Sequence, residues 1–110
     1  MSTPKPGKAA RGTTTGRPIM VLLDILGRRW ALRILWELKD DALTFRELRT
    51  RCDEMSPSVL NIRLHELADA GILKGERGEG YQLTKHGKDL LLAMAPVHSW
   101  SVAWARRQRA

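Results

Sequence analysis

Ser56-Pro57-Ser58-Val59-Leu60-Asn61-Ile62-Arg63-Leu64-His65-Glu66-Leu67 is the stretch whose reading decides the fold. Serine is a favoured residue just before a helix, and proline is tolerated at the first helical position because its missing N–H has no intrahelical partner there. Leu60, Leu64 and Leu67 follow at spacings of four and three, which puts them on one stripe of a helix. With Leu60 at 0° and about 100° per residue, Ser58, Ile62 and His65 fall on the opposite side, with Val59 and Asn61 on the flanks. Gly71 closes the helix as the residue after its last turn.

Upstream, Thr44 and Glu47 have the T-x-x-E spacing of a capping box. Phe45 and Leu48 then give helical spacing to about Arg51, and Cys52 to Met55 read as a polar turn. Downstream, Ile72-Leu73 and Tyr81-Gln82-Leu83 read as short strands around Gly75, Gly78 and Gly80, which makes a hairpin. Helix, short turn, helix and hairpin is the order of a winged helix-turn-helix, in which the second helix enters the DNA major groove. The fold class is therefore mainly α, with a small β-hairpin wing.

Further out, Pro18–Leu26 and Trp30–Lys39 predict two apolar helices separated by a stop at Gly27. The second is apolar on nearly all sides and belongs in a core or at a subunit interface, and Trp30 and Trp36 read as core residues. Asp40-Asp41 predicts a turn and Ala42-Leu43 a very short strand. Thr84 caps a helix from Lys85 to about Ala95, which Pro96 breaks or kinks. Val97, Trp100 and Trp104 make a last helical stripe that reads as a dimer or core surface, or as the lining of an aromatic effector pocket.

The charge is uneven. The chain of 110 residues has a net charge of +7. Residues 1–17 contribute Lys5, Lys8, Arg11 and Arg17 with no acid, and residues 106–110 contribute Arg106, Arg107 and Arg109 with no acid. The body between them, 18–105, holds 12 basic and 12 acidic side chains. Three parts follow: a flexible basic arm over 1–17, a winged helix-turn-helix domain over 18–105, and a basic tail over 106–110. Basic tails suit a polyanion, because neutralising phosphates releases condensed counterions.

The single cysteine, Cys52, excludes an intramolecular disulfide and reads as a structural free thiol, with a redox switch as the alternative. His65, His86 and His98 have no metal-ligand spacing with one another or with Cys52, so neither metal nor cofactor is expected. No apolar run reaches the roughly 18 residues of a membrane span, and the basic, polar N-terminus has no apolar stretch of the kind a secretory signal needs. Ser56 and Ser58 sit in a cap rather than a nucleophile elbow, so no enzyme is expected. Asn61 can pair bidentately with adenine, and Ile62 can meet a thymine methyl. Ser58, Val59, Asn61, Ile62 and His65 are the base-facing candidates. Arg46, Arg49, Arg51, Ser56 and Arg77 are the phosphate candidates.

Several segments resemble the HxlR-type winged-helix regulators. Leu26-Gly27-Arg28-Arg29-Trp30, followed by a helix ending Trp36-Glu37-Leu38, is similar to the start of that family. Thr44-Phe45-Arg46-Glu47-Leu48, the Ser56 to Leu73 block, and Tyr81-Gln82-Leu83-Thr84 with Gly87 and Leu90 match its later motifs in order. MarR-like and ArsR-like winged helices share the later blocks, so the Gly27 to Trp30 segment chooses among them. The resemblance implies a prokaryotic, cytoplasmic, nucleoid-associated transcription regulator. It implies a homodimer built from the first and last helices, binding double-stranded DNA at an inverted repeat. Leu22, Leu26, Trp30, Val97, Trp100 and Trp104 are then the dimer or effector-pocket candidates, the effector being an unknown small molecule. Arg17 stands where many relatives carry a cysteine, and Ser58 where many carry a basic residue. Two other functions share the same features: a winged helix that contacts protein, favoured by Ile62 and the neutral body, and a non-specific nucleic-acid binder driven by the tails.

Overall fold

A computed structural model of the chain describes Pro6 and residues 16–109. The basic arm expected over 1–17 lies, apart from Pro6, Gly16 and Arg17, outside the described residues. Seven elements follow in order: α1 (Pro18–Leu26), α2 (Ala31–Glu37), α3 (Phe45–Arg51), α4 (Pro57–Asp69), β1 (Leu73–Glu76), β2 (Gly80–Leu83) and α5 (Lys85–Arg109). The fold is a winged helix-turn-helix, mainly helical with a two-stranded antiparallel wing.

One core joins all of the shorter elements. Ile34 and Leu35 of α2, Leu48 of α3, Leu60 and Leu67 of α4 and Leu73 of β1 are its most buried members. The predicted stripe Leu60, Leu64 and Leu67 is buried along the whole of α4. Ser56 accepts the Val59 N–H, and Pro57 takes the first helical position, so α4 begins where its cap dictates. Its other end closes with two bonds, Gly71 N–H to the Ala68 carbonyl and Ile72 N–H to the Leu67 carbonyl, both 3.0 Å. Gly71 takes φ +77°, which a residue without Cβ adopts at no steric cost. This is a Schellman ending, and it feeds α4 directly into β1.

The capping box of α3 forms in both directions. Glu47 N–H donates to Thr44 Oγ1 at 3.1 Å, and Thr44 N–H donates to Glu47 Oε1 at 2.9 Å. The backbone donor, and then the Thr44 hydroxyl, hold the Glu47 carboxyl below its usual pKa. Leu43 pairs with Tyr81 through two backbone bonds, which realises the short strand expected at Ala42-Leu43 as a bridge on the wing.

Four expectations are corrected. Trp30 precedes α2 rather than opening it, with φ +76°, and Lys39 lies beyond the helix end. A left-handed tryptophan is strained, and packing of its ring on the core holds it there. The turn at Cys52 to Met55 is not polar throughout, because Cys52 and Met55 both enter the core and only Asp53 and Glu54 face solvent. Pro96 does not break the last helix: α5 runs unbroken for 25 residues with Pro96 inside it, on an exposed stretch where water can meet the carbonyl that proline cannot bond. Arg106, Arg107 and Arg109 therefore form the last turn of α5 rather than a separate tail.

The start of α5 is tied to the end of α4. The Thr84 hydroxyl donates to the Gly71 carbonyl at 2.6 Å and accepts the Gly87 N–H at 3.1 Å. Gly87 lies so close to the Ile72 carbonyl that a Cβ there would stand 2.1 Å from its oxygen.

Candidate nucleic-acid interface

Most of the outer face of α4 is exposed. Ser58, Asn61, Ile62 and His65 are exposed, Ile62 by 49%, while Val59 is half-buried and packs against the core. The helical reading thus holds for the face as a whole, with Val59 more committed to packing than its neighbours. Ser56 is occupied as the α4 cap, and its hydroxyl lies 3.0 Å from that of Ser58.

Along one flank of α4, three of the phosphate candidates come together. Arg46, Arg49 and Arg77 line an open depression of about 590 Å³ with Thr44, Pro57 and one acid, Glu54. The Arg77 guanidinium reaches back from the wing tip to lie 4.2 Å from the centre of the Phe45 ring, which brings its charge to α3. Arg49 is partly spent on structure. Its Nε donates to the Met55 carbonyl at 2.7 Å, and Nη1 meets Glu54 at 3.3 Å. These contacts pin the turn in which Asp53 and Glu54 both take positive φ. Arg51 sits exposed at the end of α3, and its carbonyl accepts from Arg33 at 2.6 Å. Arg33, which also pairs with Glu37 at 2.9 Å and Asp53 at 3.6 Å, is a holder of the same turn that sequence reading did not single out. The Glu37 hydrogen bond leads in raising its pKa above the usual arginine value. Cys52 lies at the C-terminal end of α3, fully enclosed, and burial pushes its thiol pKa up by more than the nearby Arg33 charge lowers it. A protonated, enclosed thiol is an inert one.

On the other flank a buried ion cluster fixes α4 to the turn after α1. Glu66 is 4% exposed; it accepts from Arg28 on one oxygen and from Arg63 Nη1 on the other, the latter at 2.8 Å. Arg28 also meets Asp24 of α1 at 3.6 Å, and Arg63 Nε donates to the Arg29 carbonyl at 2.8 Å. Burial, and then the Arg28 charge, lowers the Arg63 pKa. The sequence carried no signal for this cluster: at about 100° per residue Glu66 falls on a flank of α4, away from the stripe of Leu60, Leu64 and Leu67.

Among the dimer and effector candidates the structure separates two groups. Leu26 is a core residue, and Leu22 and Trp30 pack partly against the same core. Val97, Trp100 and Trp104 are exposed, Trp100 by 60%, and the two indoles stack along α5 with ring centres 6.0 Å apart. Trp36, read as core, is half exposed instead. It stacks on His98 of α5 at 5.5 Å and, with Leu32, Leu91, Met94 and Val97, lines an apolar depression of about 540 Å³ between α2 and α5. A seven-residue helix cannot bury all sides against one core, and sequence pattern did not say which side would be left out.

The profile of the HxlR-like helix-turn-helix family matches residues 25–109. The chain belongs to this family. It is a helix-turn-helix transcriptional regulator, and the family is one of regulators rather than enzymes. YvaP of Bacillus subtilis, described as an HTH-type transcriptional regulator, is 32% identical over 89 residues, covering 74% of this chain and 82% of YvaP. A regulator of the same description from Methanocaldococcus jannaschii is 28% identical over 89 residues, covering 77% of this chain and 83% of its own. Among solved structures, quinone-bound YodB of B. subtilis superposes with a TM-score of 0.67 at 28% identity, covering 82% of this chain and 96% of YodB. A MarR-family regulator from Enterococcus faecalis superposes with a TM-score of 0.75 at 25% identity, covering 93% of this chain and 98% of its own. Among the described residues no helix is long and apolar enough to cross a membrane.

Proposed function

We propose that the protein binds double-stranded DNA as a homodimer at an inverted repeat, with α4 in the major groove. The observation that carries the reading is the division of α4: three leucines and Glu66 turned inward, and Ser58, Asn61, Ile62 and His65 left open beside the basic depression of Arg46, Arg49 and Arg77. Asn61 and Ser58 supply hydrogen bonds to base edges, and Ile62 an apolar contact to a thymine methyl. Arg46, Arg77 and Arg51 meet phosphates, with Arg49 contributing charge while it holds the turn. The exposed stripe of Val97, Trp100 and Trp104 joins two copies, because large aromatic rings gain most when a partner covers them. YodB carries a bound quinone in one of its structures; in this chain the apolar depression between α2 and α5 is the corresponding candidate for a small aromatic effector. The place of action is the cytoplasm, on the nucleoid.

Selection from random duplex DNA with the full-length protein at near-physiological salt tests this. The expected product is an inverted repeat with half-sites about one turn, ~34 Å, apart. Asn61→Ala then relaxes the preference at one base position by about 1–3 kcal/mol without changing the fold. Binding without enrichment supports a tail-driven, non-specific binder instead. No binding transfers the exposed Ile62 face to a protein partner.

A further inference from the structure

The open face of α4 borders a cation that lies outside the Arg46–Arg77 depression. The turn between α1 and α2 lies against α4, and the two share a depression of about 610 Å³ in which Arg29, Arg63 and Glu66 adjoin the base-facing candidates Asn61, Ile62 and His65. The backbone of that turn is clamped. Arg63 Nε holds the Arg29 carbonyl at 2.8 Å, while Glu66 holds both Arg63 and Arg28. What the clamp leaves outside is the Arg29 side chain. It is exposed, and its guanidinium has no ion pair or hydrogen bond among the described residues, lying only near its neighbour Trp30, 5.7 Å from the ring centre. Arg28, Arg33, Arg49 and Arg63, by contrast, are each paired with a carboxylate.

The placement of this cation matters more than its freedom. On the helical wheel Pro57, which borders the Arg46–Arg77 depression, and Arg63, which borders the Arg29 turn, fall on opposite sides of the leucine stripe at ~100° per residue. The open face with Asn61 and His65 lies between the two. A helix seated in a major groove about 12 Å wide has one phosphate strand along each flank. On the DNA-binding reading, Arg46 and Arg77 are the candidates for one of these strands. We propose that Arg29 is a phosphate-binding residue for the other strand, and that the Glu66 cluster serves to hold its turn at a fixed height beside α4. The body is formally neutral, so its DNA affinity depends on where the unpaired cations stand rather than on how many there are.

This inference rests on the DNA-binding reading above, and the test separates the two. The selected operator duplex is titrated with full-length wild-type, Arg29→Gln, Arg29→Lys and Arg46→Gln proteins across a salt series, and ethylation interference maps the phosphates each protein needs. Arg29→Gln is expected to keep the wild-type melting temperature, because no hydrogen bond of the fold uses that side chain. It is expected to lower the slope of log K against log salt by about 0.9, to weaken operator and unrelated duplex by the same factor, and to lose a phosphate on the strand opposite the one lost by Arg46→Gln. Arg29→Lys restores the slope, since a phosphate contact needs a cation rather than a fork. A wild-type slope and interference pattern in Arg29→Gln overturns the inference alone. Loss of a phosphate on the same strand as Arg46→Gln also overturns it. A wild-type protein that binds no duplex overturns this inference and the DNA-binding reading together.

Discussion

Helices α4 and α5 are built from comparable residues and end in opposite conditions. α4 has 13 residues and turns Leu60, Leu64, Leu67 and even Glu66 inward, so its apolar and ionic needs are met inside one chain. α5 has 25 residues and buries one of them fully, Gly87, while Leu92, Val97, Trp100, Val102 and Trp104 stay exposed. The difference is one of partners. α4 lies in the middle of the fold, between α3, the wing and the α1–α2 turn. Beyond the Trp36–His98 stack and Val97, the far half of α5 leaves Trp100 and Trp104 exposed. An apolar face that its own chain leaves uncovered is the surface that a second copy is expected to cover.

Removing the inner partner of α4 has the largest expected effect. Glu66→Ala takes the shared carboxylate from Arg28 and Arg63, leaving Arg28 its longer contact with Asp24, and loss of one partner from such a cluster costs about 3 kcal/mol; urea unfolding measures it. A loss under about 1 kcal/mol would show that α4 does not depend on the cluster. Trp100→Ala is expected to act on assembly instead. The proposed dimer is expected to weaken by about 2 kcal/mol or more, seen as a shift in its dissociation constant by sedimentation equilibrium, while the proposed base reading by each monomer persists. An unchanged assembly in Trp100→Ala breaks the contrast between the two helices.

Gly87→Ala sharpens the contrast by placing its boundary within α5. A Cβ at 2.1 Å from the Ile72 carbonyl oxygen forces the helix start away from the wing, with an expected loss of about 1–3 kcal/mol in thermal or urea unfolding and a normal dimer once folded. The first turns of α5 then belong with α4, and the far half stands apart. The smallest effect lies outside both helices. Thr44→Ala removes the α3 cap at about 1 kcal/mol. The Glu47 carboxyl is held below its usual pKa, so its contribution is complete above the ordinary carboxylate range and is lost as pH falls through the lowered value. Acid titration of wild-type and Glu47→Gln proteins reads this out as a shallower decline in the variant.

The central motif was legible because its signals are local. A cap, a proline, three leucines and a C-terminal glycine fix α4 with no knowledge of the rest of the chain, and the Thr44–Glu47 pair does the same for α3. What was not legible depends on distance through space. Trp36 reads as core from its neighbours in sequence, yet a short helix has only one covered side. Pro96 reads as a breaker, yet water can satisfy the carbonyl freed on an exposed helix. Arg28, Arg33 and Glu66 carry no individual signal, because each acts through a partner about 20 to 40 residues away. Arg49 has the composition of a phosphate ligand, and the turn it braces claims part of it.

The Thr84 joint has a further consequence. Its hydroxyl bridges the last residues of α4 to the first turn of α5, and Gly87 lets the two meet at backbone contact. If two copies join through α5 and read through α4, this joint, together with the packing of Leu90, Leu91 and Met94 on the core, sets the distance between the two reading heads. The joint then acts as part of the ruler of the assembly. Variation there would change which spacings between half-sites are accepted, while leaving the letters of each half-site unchanged.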